Sequence, residues 1–174
     1  MGDLVFVDEM GINIDLARAY GRAAPGERVV ETKPSARGDN LSVIGALGFE
    51  ELRAAMSVPG AVDGDACLVF IKDVLAPRLR PGNIVVLDNV PTHKMTAIAE
   101  ALTAVDAKVK FLPPYAPDLS PIEHCWSKLK TFLRSVAART RADLEVALSQ
   151  ALALITGDDI KGWFAHCGYG DAPN

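Results

Sequence analysis

The sequence predicts one α/β domain in which a mixed sheet is flanked by helices. The chain has 174 residues, a length that suits a single domain better than two. Apolar residues make up 49% of it, which is enough for a substantial core and excludes a globally disordered chain. Short apolar runs come first, and helical patterns then alternate with further runs, an order typical of mixed α/β sheets.

Two short apolar runs are predicted to be central strands. Residues 4–8 and 84–87 are almost continuously apolar and rich in β-branched side chains, a pattern that indicates burial on both faces of a sheet. Gly11 is predicted to turn the chain after the first strand. Weaker patterns predict three more strands, at 27–32, 41–47 and 108–112.

The helices are predicted from apolar spacing and from capping residues. Ser120 is the best predicted helix start, because Pro121 follows at the first helical position and Glu123 completes a capping box. Before it, the proline-rich residues 113–121 predict a stiff, extended loop. Other helices are predicted at 65–76, where Pro77 would stop the helix, at 93–105 and at 141–155. The residues from Trp163 to Tyr169 are predicted to be a packing segment.

Charge and cysteine usage bound the class of protein. The net charge of −4 argues against a surface that is basic throughout, so any contact with nucleic acid needs local positive charge or another segment. Three widely spaced cysteines predict reduced thiols in a cytoplasm rather than a disulfide framework. No apolar run approaches the roughly 18 residues of a membrane span, and we expect no membrane association.

Three carboxylates stand where a divalent cation could be held. Asp8 and Asp88 each end a predicted buried strand, and Glu123 opens the best predicted helix, with 34 residues between it and Asp88. If the two strands are neighbours, both aspartates emerge at one sheet edge, where ligands of open α/β sheets bind. Mg²⁺ prefers such hard oxygen ligands, and two ions catalyse phosphoryl transfer. The pattern therefore predicts a two-Mg²⁺ site, with Mn²⁺ as a substitute, that acts on nucleic acid.

Each of these residues also has a simpler interpretation. Asp88 and Asn89 fit a plain Asx turn, and Glu123 fits a capping role alone. Lys130 and Arg134 share the helix face of Glu123, where they would either contact a DNA backbone or belong to an ordinary solvated face. We assign Asn89, together with His93, as a weaker candidate for contact with phosphate; a loop histidine satisfied by its neighbours is the alternative for His93.

Four motifs carry a resemblance to a known family. They are VDEMG at 7–11, YGR at 20–22, LDNVPTHK at 87–94 and LPPYAPDLSPIE at 112–123. These motifs resemble the catalytic domain of Tc/mariner-superfamily transposases, and more closely their bacterial insertion-sequence branch. The resemblance extends over almost the whole chain.

The resemblance implies a ribonuclease H-like fold with an Asp-Asp-Glu triad formed by Asp8, Asp88 and Glu123. It implies a bacterial cytoplasmic enzyme that nicks DNA at the ends of a mobile element and joins the freed 3′-hydroxyl to target DNA, usually at a TA dinucleotide. Residues 1–174 would then be a single catalytic domain, likewise expected to form homo-oligomers. The family's helix-turn-helix region would precede Asp8, so the chain resembles the catalytic half alone. Two origins stay open for such a chain: a truncated or frameshifted gene, or one of two reading frames of which the upstream one encodes the helix-turn-helix region.

Two alternatives from other classes stay open. One is a catalytically silent transposase fragment that acts by binding or dimerisation. The other is a ribonuclease H-like nuclease of different purpose, acting on RNA–DNA hybrids or Holliday junctions.

Overall fold

The protein folds around a five-stranded sheet with helices on both faces. A computed structural model describes residues 3–18, 20–30, 38, 40–89, 96–114 and 116–170. The strands are β1 (Leu4–Ile12), β2 (Leu41–Gly48), β3 (Leu52–Pro59), β4 (Ile84–Leu87) and β5 (Lys108–Phe111), and their order in the sheet is β3-β2-β1-β4-β5. β1, β2 and β3 pair antiparallel, whereas β4 pairs parallel with both β1 and β5. The mixed sheet predicted from the sequence is confirmed.

Within the described residues, five α-helices accompany the sheet. They are α1 (Gly64–Val69), α2 (Thr96–Thr103), α3 (Pro121–Val136), α4 (Arg141–Ala153) and α5 (Gly157–His166). α1 continues as a π-helical turn over Phe70–Leu75 and a 3₁₀ turn over Ala76–Arg78, and a separate 3₁₀ turn over Pro117–Leu119 precedes α3. No helix within the described ranges is long and apolar enough to cross a membrane.

The two faces of the sheet belong to two separate cores. Alternation along β1 sends Phe6 and Met10 into the core that α3, α4 and α5 cover. Val5 and Val7 point the other way, into the core beneath α1 and α2. The even-numbered positions of β1, Asp8 among them, therefore face α3. Cys67, Cys125 and Cys167 are buried free thiols; Cys125 belongs to the first of these cores and Cys67 to the second.

Three strand predictions need correction. Gly11 is not a turn, because β1 continues past it and Gly11 pairs with Ser42 of β2. Of the strand predicted at 27–32, residues 27–30 form no strand, and 31–32 lie outside the described residues. Residues 27–30 are exposed, with 82% of Val30 accessible to solvent, so their β-branched side chains have no sheet to join. β3 was not predicted, because its small side chains give no clear alternation of apolar and polar residues. A tight turn joins it to β2, in which the Gly48 N–H donates to the Glu51 carbonyl at 2.9 Å.

The other strand predictions and most helix predictions are confirmed within a few residues. Pro77 does not stop the helical segment that begins with α1. It lies inside the final 3₁₀ turn of that segment, which ends at Arg78. The first residues of the helix predicted at 93–105 lie outside the described residues, and α2 ends at Thr103. The predicted packing segment includes the last turn of α5, whose Phe164 is fully buried.

The predicted capping box at the start of α3 is wrong. Ser120 is the N-cap residue, but its side chain makes no capping hydrogen bond and is buried. The N–H of Ser120 donates to the Pro117 carbonyl at 2.9 Å, within the preceding 3₁₀ turn. That turn replaces the acceptor that Glu123 would have provided in a capping box.

Candidate active site

Asp8 and Asp88 stand at the same level of two neighbouring strands. The prediction that Asp8 ends its strand is wrong, because pairing with β2 carries β1 on to Ile12, whereas β4 does end just before Asp88. β1 and β4 pair in parallel, and the last pair in their register joins Val7 to Leu87. Asp8 follows Val7 inside β1, and Asp88 follows Leu87, the last residue of β4. The backbones of these two strands run about 4.8 Å apart. The two strands are therefore neighbours, as a shared site for both aspartates requires.

Glu123 reaches the same place from α3. Asp8, Asp88 and Glu123 all line one cavity of about 390 Å³. Asn89 lines it beside Asp88, and the opposite wall is built from apolar and proline residues of the loop before α3, namely Leu112, Pro113, Pro114, Ala116 and Pro117. Glu123 itself is exposed, because it stands in the first turn of α3, at the cavity's solvent side.

Asp8 is held by a tryptophan from the helix that covers it. The indole Nε1 of Trp126 donates a hydrogen bond of 2.9 Å to Asp8 Oδ2. The Trp126 side chain is only 1% exposed and packs among the apolar residues of the α3 side of the sheet. One oxygen of the cavity's innermost carboxylate is thus fixed from the core.

The cavity disfavours negative charge on Asp8. Burial raises the pKa of Asp8 from its usual 3.8 to about 7, and the nearby carboxylate of Glu123 contributes to the rise. Hydrogen bonds from the backbone at Glu9 and from Trp126 act in the opposite direction but do not cancel it. A carboxylate with this pKa lacks a compensating positive charge, and a cation in the cavity would supply one.

The three carboxylates share a cavity without forming a closed ligand set. Within the part of the chain that the structure describes, no group of three or more His, Cys, Asp or Glu side chains is arranged to hold a metal ion. The chemistry of the donors fits Mg²⁺ or Mn²⁺, since all three offer carboxylate oxygens. Glu123 is exposed, so its side chain can rotate toward the aspartates without repacking the core.

The remaining predicted contacts are partly visible. Lys130 and Arg134 lie half-buried on α3, on the helix face that begins with Glu123 and passes through exposed Ser127. Eleven residues of helix place Arg134 about 16 Å along the axis from Glu123. His93 lies outside the described residues.

Two residues at the site were not predicted from the sequence. From the sequence, Trp126 is only one member of an apolar helix stripe. A buried tryptophan usually finds an acceptor for its N–H, and this rule could have indicated that Trp126 needs a partner such as Asp8. Gly45 carries no such signal. It pairs with Asp8 across β1 and β2, and a Cβ built there would lie 2.4 Å from Trp126 Cη2. This glycine makes room for the indole.

The fold and the cavity define a ribonuclease H-like domain with one acidic residue inside a central strand, Asp8, and another just after the neighbouring strand, Asp88. Comparison with known proteins agrees: the sequence pattern of the DDE superfamily endonucleases matches residues 3–145, and the chain belongs to this family. No curated protein sequence gives a significant match to the chain.

Solved structures of Mos1 transposase share the fold. A Mos1 transposase paired-end complex with the left transposon end superposes with a TM-score of 0.79 at 17% identity, covering 95% of this chain and 52% of the Mos1 chain. A Mos1 mariner paired-end complex with Mn gives 0.79 at 18% identity, covering 96% and 53%. The Mos1 mariner catalytic domain gives 0.72 at 14% identity, covering 95% and 77%. The chain therefore spans about half the length of the Mos1 chains in the paired-end complexes.

Proposed function

We propose that this chain is the catalytic domain of a DNA transposase of the Tc/mariner superfamily, from the bacterial insertion-sequence branch. Its reactions would be metal-dependent hydrolysis of phosphodiester bonds at the ends of a mobile element and transfer of the freed strand to target DNA. The observation that carries the proposal is the single cavity lined by Asp8 on β1, Asp88 just after the parallel strand β4, and Glu123 on α3. Membership of the DDE superfamily endonucleases supports it.

Asp8, Asp88 and Glu123 would hold the metal, in the form of two Mg²⁺ ions for which Mn²⁺ substitutes. Bound there, the ions would activate the attacking oxygen and neutralise charge on the leaving oxygen. The residues of the chain orient the reaction: Asp8 is fixed by Trp126, whereas Glu123 is free to swing in from α3. The raised pKa of Asp8 supports a cation at this position. Mos1 complexes contain Mg or Mn, which supports the choice of metal.

DNA would lie along α3, across the mouth of the cavity. Lys130 and Arg134 would contact backbone phosphates, and Asn89 and His93 would contact phosphate near the reacting bond. The substrates would be transposon ends and a target with a TA dinucleotide. Because the domain has a net charge of −4, most DNA affinity would come from a helix-turn-helix segment outside this catalytic domain. The active form would be a homo-oligomer in a bacterial cytoplasm.

The test is Mg²⁺-dependent nicking of supercoiled plasmid DNA, run with the purified chain. We expect nicking with Mg²⁺ or Mn²⁺, none with EDTA, and none with Asp88→Asn. A matched control is Asp106→Asn, which removes one exposed carboxylate outside the cavity. Circular dichroism and thermal unfolding should show both variants folded. Nicking by Asp88→Asn at the wild-type rate would overturn the assignment of the site.

One observation favours a second candidate function. The three carboxylates do not form a closed ligand set in the described residues, as expected for a silent fragment that acts by binding or dimerisation. Such a fragment would bind no Mn²⁺ in calorimetry and would still form dimers or bind a full-length transposase. A ribonuclease H-like nuclease of other purpose would instead cleave RNA–DNA hybrids or Holliday junctions faster than linear duplex DNA.

A further inference from the structure

Trp126 joins three elements at the innermost carboxylate. Its indole extends from α3, donates to Asp8 Oδ2 on β1, and lies against the backbone of Gly45 on β2. Asp8 and Gly45 are directly paired in the β1–β2 ladder. The ring is therefore accommodated on one side by the missing side chain of Gly45 and held at its N–H by Asp8.

This arrangement constrains how Asp8 meets the cavity. An indole N–H is a donor only, and a carboxylate offers two oxygens as acceptors. With Oδ2 engaged by Trp126 at 2.9 Å, rotation of the Asp8 carboxylate costs a buried hydrogen bond. A backbone hydrogen bond at Glu9 also engages this carboxylate, so two donors hold it, and its remaining acceptor sites are available to the cavity.

We infer that Trp126 is a positioning residue for Asp8: its N–H holds the carboxylate in one orientation toward a divalent cation in the cavity. The inference deepens the proposed function and rests on it for the identity of the cation. The hydrogen bond and its geometric effect stand on the structure alone. Partners that orient a metal-binding side chain typically change metal affinity roughly 10–100-fold when they are removed.

The opposing explanation is that Trp126 serves only to fill the core. The apolar stripe of α3 would need a large side chain at this position in either case. Trp126→Phe separates the two explanations, because phenylalanine keeps an aromatic ring in the core and removes the donor. Trp163→Phe is the matched control: Trp163 is the chain's other tryptophan, lies half-buried on α5, and does not line the cavity.

The first measurement does not involve metal. In ¹⁵N-labelled protein the two indole N–H resonances are assigned by the two Trp→Phe variants. We expect Asp8→Ala to move the Trp126 indole resonance and to leave that of Trp163 in place. If Asp8→Ala does not fold, Asp8→Asn replaces it, because a neutral acceptor shifts the same resonance. If substitutions at position 8 leave the Trp126 indole resonance unchanged, the inference is overturned.

The second measurement is Mn²⁺ binding by calorimetry. We expect Trp126→Phe to bind Mn²⁺ roughly 10–100-fold more weakly than the unsubstituted chain, and Trp163→Phe to bind it unchanged. Equal affinity of Trp126→Phe and the unsubstituted chain would overturn the positioning role. If the unsubstituted chain itself binds no Mn²⁺, the proposed function fails, and the inference about Trp126 is then decided by the indole resonances.

Discussion

Gly45 lies directly against the indole of Trp126: a Cβ at position 45 would come within 2.4 Å of Cη2 of the ring. No real side chain tolerates that approach, so any residue other than glycine at position 45 has to displace the ring. Because the same indole donates to Asp8, the absence of a side chain on β2 controls the geometry of a carboxylate on β1.

Gly45→Ala should therefore weaken both the fold and the site. We expect a loss of about 1–3 kcal/mol in the free energy of unfolding, typical of overpacking a filled core, and weaker Mn²⁺ binding. Urea unfolding and calorimetry measure the two effects. Gly11→Ala is the control, because Gly11 is also a strand glycine but nothing lies within 4 Å of an added Cβ. Equal stability of the two variants would contradict the prediction.

A double variant sharpens this test. Trp126→Phe shortens the ring, so Gly45→Ala should cost less in that background than in the unsubstituted chain. The expected result is a coupling energy of roughly 0.5–3 kcal/mol between positions 45 and 126. Additive costs would mean that the two residues do not share the space.

The pKa of Asp8 predicts how stability depends on pH in the absence of divalent cations. Its folded value of about 7 lies above the usual 3.8, so between these values the folded state binds a proton that the unfolded state has lost. The free energy of unfolding should therefore fall as pH rises from about 4 to 7, by at most about 4 kcal/mol. Urea unfolding in EDTA measures it, and Asp8→Asn should remove this part of the slope. An unchanged slope in that variant would assign it to other groups.

Asp159 predicts a slope of opposite sign at low pH. The hydrogen bond from Lys128, and then those from Thr156, lower its pKa to about 2, so the stability it contributes is present above about pH 4 and is lost as pH falls toward 2. Lys128 also donates to the Leu154 carbonyl at 3.0 Å, which links α3 to the corner between α4 and α5.

Lys128→Met should therefore destabilise the fold at pH 7 by about 1 kcal/mol, since the pair is partly solvent-screened. It should also flatten the loss of stability at acid pH. Arg141→Gln is the control: it breaks an exposed ion pair with Glu145 within one helix, for which about 0.3–0.5 kcal/mol is expected. A larger cost for Arg141→Gln than for Lys128→Met would refute the linking role.

The elements that the sequence predicts correctly are those that a local residue pattern determines. The continuous apolar runs of β1 and β4 define buried strands, and the proline after Ser120 defines the start of α3. Residues 27–30 show the limit, because β-branched side chains favour a strand only where a partner strand is available. β3 shows the reverse: it forms because β2 offers an edge, although its own side chains are small.

The site was predictable only in part for the same reason. The residue types and their positions after strands indicated carboxylates at a sheet edge, but their proximity depends on β1 pairing with β4 across 80 residues of chain. The bond from Trp126 to Asp8 spans 118 residues, and no local pattern encodes it. The expected hydrogen bond between Ser120 and Glu123 failed because an unforeseen 3₁₀ turn occupies the Ser120 N–H.

The proposed function places DNA along the basic residues of α3. Replacing Lys130 and Arg134 together by Gln should weaken binding to duplex DNA similarly for all sequences, because phosphate contacts carry no sequence information. It should also reduce the slope of log affinity against log salt by about 2, since each phosphate that is no longer neutralised lowers the slope by close to one. Fluorescence anisotropy at several NaCl concentrations measures both quantities.

The control for this prediction removes the same charge elsewhere. Lys72 is exposed on the turn that continues α1, on the opposite face of the sheet from α3. Arg80 is also exposed and precedes β4, at the end of that strand away from the cavity. Replacing these two by Gln changes the net charge equally, so long-range electrostatics are matched. If both pairs lower the salt slope to the same extent, α3 is not the DNA-binding face, and the cavity must receive its substrate from another direction.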